Sequence, residues 1–378
     1  MNTSRALFLS CLCAVLFLGL ASTGARGHEV AQAAPARTPG PAADLVRLNA
    51  TLRRATGTGQ FSGAVLIAKD GKVVFSRAYG LADRSRRVRN TIHTRFRIGS
   101  MNKMFTAVAI LQLVEAGAVE LSAPLGEYLT DYPNPEVATK VTIHHLLTHT
   151  GGTGDIFGPQ FWARRNELRT HSDYIELYGS RGLQFEPGSS WAYSNYGFVL
   201  LGAVIERVTG QSYYDYVDKH IYEPAGMTRT GSLPETEAVP GRSVGYMRRG
   251  ATFVANTYTL PYRGTAAGGG YSTVPDLARF ADALTSHKLL SPESTRLLIT
   301  GKVKTPGPGI QYAYGFDDRR HTDGRGSVGH GGGAAGMNGD LRIYPSSGHV
   351  VAVLANFDPP AAQQVTGWVC AYVLSPPC

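Results

Sequence analysis

The 378-residue sequence predicts a mixed α/β fold of the α+β kind, with an antiparallel sheet built from both chain ends and flanked by helices. A mainly helical region is inserted between the two halves of the sheet. Three observations carry this reading. Strand patterns cluster near the two ends of the chain. Helical patterns fill the middle. Short turns join the strand runs, where parallel strands would need long crossovers. The sheet part is expected at about 44–120 and 305–378 and the helical part at about 121–304, together one domain over 44–378.

The elements follow in order. Arg5, the apolar run Ala6 to Ala21 and the small residues of GARG read as a signal peptide over 1–27, with Ala25 and Gly27 at the −3 and −1 positions of the cut. The run is about 16 residues long, short of the roughly 20 that a bilayer span needs. Residues 28–43, containing AQAAPARTPGPAA, read as a flexible leader. Leu45, Leu48 and Leu52 have helical spacing, and FSGAVLIAKDGKVVFSRAYG reads as two strands around an Asp70-Gly71 turn. RIGSMNKMFTAVAILQLVEAG, Arg97 to Gly117, reads as one long helix, apolar almost all round. Short helices follow, among them TIHHLLTHTGG, SYYDYVDKHI and VPDLARFADALTS; GFVLLGAVIERVTG is a strong helix ended by Gly210. GSVGHGGG, NGDLRIYP and HVVAVLANF return to strand character, with SSG turning between the last two, and AAQQVTGWVCAYVL is helical.

Composition sets bounds on function. The chain is 43% hydrophobic and 17% charged, suited to a globular protein with a sizeable core. The net charge of +9 falls to +7 once Arg5 and Arg26 leave with the leader. Its one dense basic stretch, RSRRVR at Arg84 to Arg89, reads as a solvated loop, and no nucleic-acid motif or internal repeat is present. Cys370 and Cys378 would meet oxidising conditions after export, which leaves both a small terminal disulfide and two free thiols open. The mature protein is expected in the periplasm or secreted, with no stable membrane span.

Ser100 and Lys103 are the first chemical signal. Residues three apart share a helix face. A serine hydroxyl needs a base to become a nucleophile, and burial lowers a lysine pKa toward the range where the amine is free. Met104, Phe105, Ala107, Val108, Ile110 and Leu111 supply that apolar wall. A capping box would want Glu or Gln where Lys103 stands, and a lysine there opposes the helix dipole. Tyr193, in Tyr193-Ser194-Asn195 before a strong helix, can shuttle protons, and Asn195 can hold a substrate amide or orient Lys103. Gly331, Gly332 and Gly333 after His330 are costly in a strand unless another backbone must come close. A substrate lying along this strand would meet the Gly333 amide, which with the Ser100 amide forms an oxyanion hole, while His330 lines the cleft as a donor or switchable charge.

These three segments, in this order, resemble the serine β-lactamase and penicillin-binding protein superfamily, most of all its class C-like branch of D-alanyl-D-alanine carboxypeptidases, D-aminopeptidases and family VIII esterases. The resemblance runs over about 44–358 and includes LLTHTGG, EPAGM and GGGYSTVPDLARF. It implies a β-lactamase/transpeptidase-like fold and an acyl-enzyme mechanism. Ser100 would be the acylated nucleophile, Lys103 its proton acceptor and Tyr193 the partner base. Asn195, His330, Gly331 and Gly332 would position substrate. His330-Gly331-Gly332 stands where many β-lactamases have Lys-Thr-Gly. The missing cation and hydroxyl lower the expectation of efficient β-lactam hydrolysis. The implied substrates are esters or D-amino-acid-containing peptides and amides, cell-wall fragments among them. The alternatives are a β-lactamase, a penicillin-binding module with slow or no turnover, or an acyltransferase. No metal or organic cofactor is required. His144, His145 and His149 lack the glutamate of a zinc protease helix and are assigned structural roles, and GGTGDIFGP is the candidate lid.

Overall fold

The computed structural model describes residues 41–374. The expected signal peptide, most of the leader and Cys378 lie outside the described residues. Helix α1 (Pro41–Gly57) carries Leu48 and Leu52 on its buried face. Strands β1 (Gly63–Lys69) and β2 (Lys72–Tyr79) follow as a hairpin. Its turn residues Asp70 and Gly71 have φ of 49° and 73°, the left-handed pair that matches the twist of the flanking strands.

Three two-residue strands, β3 (Val303–Lys304), β4 (Gln311–Tyr312) and β5 (Asp317–Asp318), precede three long ones. The long strands are β6 (Val328–Ala334), β7 (Met337–Tyr344) and β8 (His349–Ala355). All eight form one sheet in the order β2-β1-β8-β7-β6-β5-β4-β3, antiparallel at every step. The first and last parts of the chain meet at the β1–β8 ladder, where Gly63 pairs with Ala355 and Lys69 with His349.

Alternation along β1 and β8 sends side chains into two cores. Ala64, Leu66, Ala352 and Leu354 join the cluster around helix α2 (Asn102–Glu115). Val65, Ile67, Val351 and Val353 pack with Leu48, Leu52, Val365 and Val369, the last two from helix α5 (Ala361–Val369) near the end of the chain. Because helices cover both faces, these strands are apolar at nearly every position. Each fully buried Leu or Val contributes about 1.5–3 kcal/mol relative to exposure. Helix α3 (Asn195–Thr209), ended by Gly210 in the left-handed conformation, and helix α4 (Val274–Thr285) complete the framework.

Two boundaries differ from the sequence expectation. The helix expected from Arg97 begins at Asn102. Phe96–Arg97 is a short strand paired with Tyr271–Ser272, and Gly99–Met101 is a 3₁₀ turn. Gly99 makes this entry feasible, with φ at 53°. The middle region also contains a strand hairpin, Tyr246–Arg249 with Thr252–Ala255, beside its helices. Cys370 is disulfide-bonded.

Candidate active site

The 3₁₀ turn brings Ser100 to the cleft while α2 enters the core. Lys103, one turn on, is wholly buried, and its Nζ lies 3.3 Å from Ser100 Oγ. The amine donates to Asn195 Oδ1 at 2.7 Å and to the Ala267 carbonyl. The Tyr193 ring centroid is 4.7 Å from Nζ. Burial brings the Lys103 pKa down from the usual lysine range to about 7, and the Asp155 carboxylate opposes that fall. At neutral pH a large share of this amine is therefore uncharged.

Tyr193 is half-buried, and its hydroxyl bonds to Ser100. Burial pushes its pKa well above the phenol range, with the Ser100 bond a smaller opposing effect. The resting side chain is thus a neutral phenol. Of the two bases the sequence offered, the one that is free near neutral pH is the lysine.

The glycine run meets Ser100 as a close backbone contact. A Cβ on Gly332 would fall 1.9 Å from the Ile98 carbonyl oxygen. One on Gly99 would sit 3.0 Å from the Gly333 amide nitrogen. The strand β6 can therefore lie against the Ser100 turn only without side chains here. Ser100 and Gly333 line one cavity, as an oxyanion hole built from their amides requires.

Asn195 is expected on a substrate amide or on Lys103, and it reaches the lysine. Its Oδ1 receives Lys103, its Nδ2 donates to Asp155 Oδ2 at 3.2 Å and its backbone N–H to Asp155 Oδ1 at 2.8 Å. That geometry fits orienting Lys103, and Asn195 also lines the pocket beside Ser100. His330 was expected as a cleft donor or switchable charge. Its Nδ1 lies against the Gly331 carbonyl, which only accepts, so Nδ1 carries the proton and Nε2 accepts from the Tyr312 hydroxyl at 3.0 Å. Burial takes its pKa down to about 4, with Asp317 opposing, so the ring is neutral across the physiological range. Gly331 sits beside His330 on β6, where a Cβ would be 3.0 Å from Gln363 Nε2.

Three residues outside the expected catalytic set support the site. Asp155 anchors the start of α3 as described. It is also the one carboxylate that counters the burial of Lys103. It lies in the expected lid, which is pinned here by those bonds and by Arg181 Nη1 donating to the Asp155 carbonyl at 2.8 Å. His149 holds the residues on both sides of Tyr193. Its carbonyl accepts from Ala192 N–H at 3.0 Å and its Nδ1 from Ser194 N–H at 3.2 Å, with the rings 4.3 Å apart. His171 Nε2 accepts from Ala266 N–H at 3.1 Å beside the Ala267 carbonyl, and its Nδ1 faces Glu206 Oε1 at 3.1 Å. A non-glycine φ of 62° at His149 is its structural signature, which the sequence does not display. His144 and His145 lie apart from this cleft chemistry: His144 bonds Tyr314 at 2.8 Å, and His145 Nδ1 accepts from Thr142 N–H at 3.2 Å. Among the described residues no group of three His, Cys, Asp or Glu side chains is arranged to hold a metal ion.

Asp155→Asn keeps the shape of the anchor and removes its charge. A negative charge favours the protonated amine, so its loss should lower the Lys103 pKa further. The acid limb of kcat/KM, expected near pH 7, should move to lower pH. A pH–rate profile of the variant checks this, and an unmoved limb would separate Asp155 from the lysine.

Comparison with known proteins bears on this arrangement. The family model described as beta-lactamase matches residues 18–369. The putative penicillin-binding protein PbpX of Bacillus subtilis (strain 168) is 35% identical over 259 residues, 68% of this chain and 62% of that protein. The chain thus spans about three-fifths of the length of that relative. Esterase EstB of Burkholderia gladioli is 36% identical over 218 residues, 51% of this chain and 54% of the esterase. The crystal structure of a penicillin binding protein from Bacillus halodurans superposes with a TM-score of 0.78 at 34% identity, covering 84% of this chain and 98% of that one.

Proposed function

The chain belongs to the beta-lactamase family and is a serine hydrolase, and from that premise we propose that it is exported and cleaves esters or D-amino-acid-containing peptides and amides through an acyl-Ser100 intermediate. The observation that carries this reading is the buried Lys103 amine, 3.3 Å from Ser100 Oγ, with burial bringing its pKa down to about 7. Export rests on the leader pattern in residues 1–27. Among the described residues no helix is long and apolar enough to cross a membrane.

In the proposed acylation, neutral Lys103 Nζ takes the Ser100 proton as Oγ bonds to the substrate carbonyl carbon. The carbonyl electron pair moves onto oxygen, where the Ser100 and Gly333 amides receive it. Collapse reforms the carbonyl and breaks the bond to the alcohol or amine. That leaving group takes a proton through Tyr193, which the Lys103 ammonium resupplies. Water then attacks the ester with its proton passing back along the same route, and Ser100 regains its hydrogen. Asn195 and the Ala267 carbonyl hold the lysine throughout. The name of the B. gladioli relative supports ester turnover. The neutral His330 offers no fixed cation for a β-lactam carboxylate, which supports poor turnover of that class.

Intact-protein mass spectrometry with an ester, a D-peptide amide and a penicillin tests the assignment. The ester or the D-peptide amide should give a transient acyl adduct with steady turnover. Penicillin should give an adduct that clears slowly. No adduct with any of the three would overturn the proposal.

A further inference from the structure

The cleft is asymmetric about Ser100. On one side lies a partly enclosed pocket of about 150 Å³, walled by Ile156, Phe157, Phe161, Trp162, Leu260 and Met337. A cavity of this size lined by apolar side chains accommodates a benzene ring. Its one charged neighbour, Arg263, stacks its guanidinium 3.3 Å from the Tyr214 ring centroid and donates to the Ser232 carbonyl. That charge is occupied elsewhere. Phe157 and Trp162 stand 56% and 47% exposed at the rim, both packed on Phe161. Large aromatics left open to water around a preformed apolar hollow gain from an apolar occupant.

On the other side is an open cleft of about 390 Å³ lined by Tyr193, Asp317, Arg319, His330, Asn338 and Arg342. Tyr193 lines this cleft and not the partly enclosed pocket. A leaving group must receive its proton from the Tyr193 side and must escape to solvent. Both requirements put it in the open polar cleft. The acyl portion, which stays on Ser100, is left with the partly enclosed apolar pocket.

Building on the acyl-Ser100 reading above, we propose that the preferred acyl donor carries an apolar acyl group, about the size of a phenyl ring or a six-carbon chain, seated among Phe157, Phe161, Trp162 and Met337. Its leaving group is a polar alcohol or amine directed along β6.

Two ester series test this. The first varies the acyl chain from acetyl to decanoyl on a constant p-nitrophenol. The second varies the alcohol from ethanol to decanol on a constant acetyl. In the acyl series kcat/KM should rise about threefold per methylene to about hexanoyl and then fall. The alcohol series should be nearly flat. Trp162→Ala should cut the hexanoyl-to-acetyl ratio about tenfold, as expected for losing a wall that covers several methylenes, with an unchanged thermal midpoint, since that side chain is half exposed. A flat acyl series, or a gradient in the alcohol series instead, would overturn the pocket assignment while acyl-Ser100 still forms. Hydrolysis that persists in Ser100→Ala would overturn the acyl-serine reading itself.

Discussion

Ser100→Ala should lose covalent labelling by a fluorophosphonate and lose ester turnover by about 10⁴-fold or more, in line with removing the nucleophile of other acyl-enzyme hydrolases. The protein should fold as before. Ser100 is partly exposed, and the substitution deletes one oxygen with two partners: Lys103 Nζ, which keeps Asn195 Oδ1 and the Ala267 carbonyl, and the hydroxyl of the half-buried Tyr193. A change of that kind typically moves stability by no more than about 0.5–1 kcal/mol. Gel fluorescence after labelling, read beside a thermal unfolding curve, separates chemistry from folding. Label that persists in the variant means another nucleophile.

Lys103→Met should depress acylation by about 10³- to 10⁴-fold, the loss expected for a positioned base. Methionine fills most of the space at the start of α2. It leaves the Asn195 and Ala267 oxygens without their donor, which costs about 1–3 kcal/mol for each buried group left unpaired. It also removes an amine that burial disfavours in its charged form, a gain in the opposite sense. A simple structural role would slow the reaction without reshaping its pH dependence. The base role requires more: the inflection near pH 7 should vanish along with the rate. Single-turnover acylation across pH 5 to 9 reads both.

Much of this arrangement could be read from residue order. Asp70-Gly71 demanded a left-handed turn, so the β1–β2 hairpin was visible. Gly210 ended α3 because it takes φ of 66° there. The spacing of Ser100 and Lys103 placed both on one face, and three glycines in a strand foretold a close backbone approach. What stayed hidden depended on distant partners. Arg97 stands at the head of the apolar run read as a helix, and only the pairing of Phe96–Arg97 with Tyr271–Ser272 makes these two residues a strand. Strands β3, β4 and β5 have two residues each, too few to show alternation. His330 reads as a cleft donor until Tyr312, 18 residues earlier in the chain, is found on its Nε2. Asp155 is one carboxylate in a glycine-rich loop, and nothing local marks it as the counter-charge to a lysine 52 positions earlier in the sequence.

The most direct test of a neutral Lys103 acting on Ser100 is the pH dependence of wild-type acylation in a single turnover with a p-nitrophenyl ester. Burial places the lysine's titration at about 7. The rate should climb tenfold per pH unit below that point and level off above it, as one proton leaves Nζ. A rate that stays flat from pH 5 to 8, or that keeps climbing toward the ordinary lysine range near 10, would contradict the account.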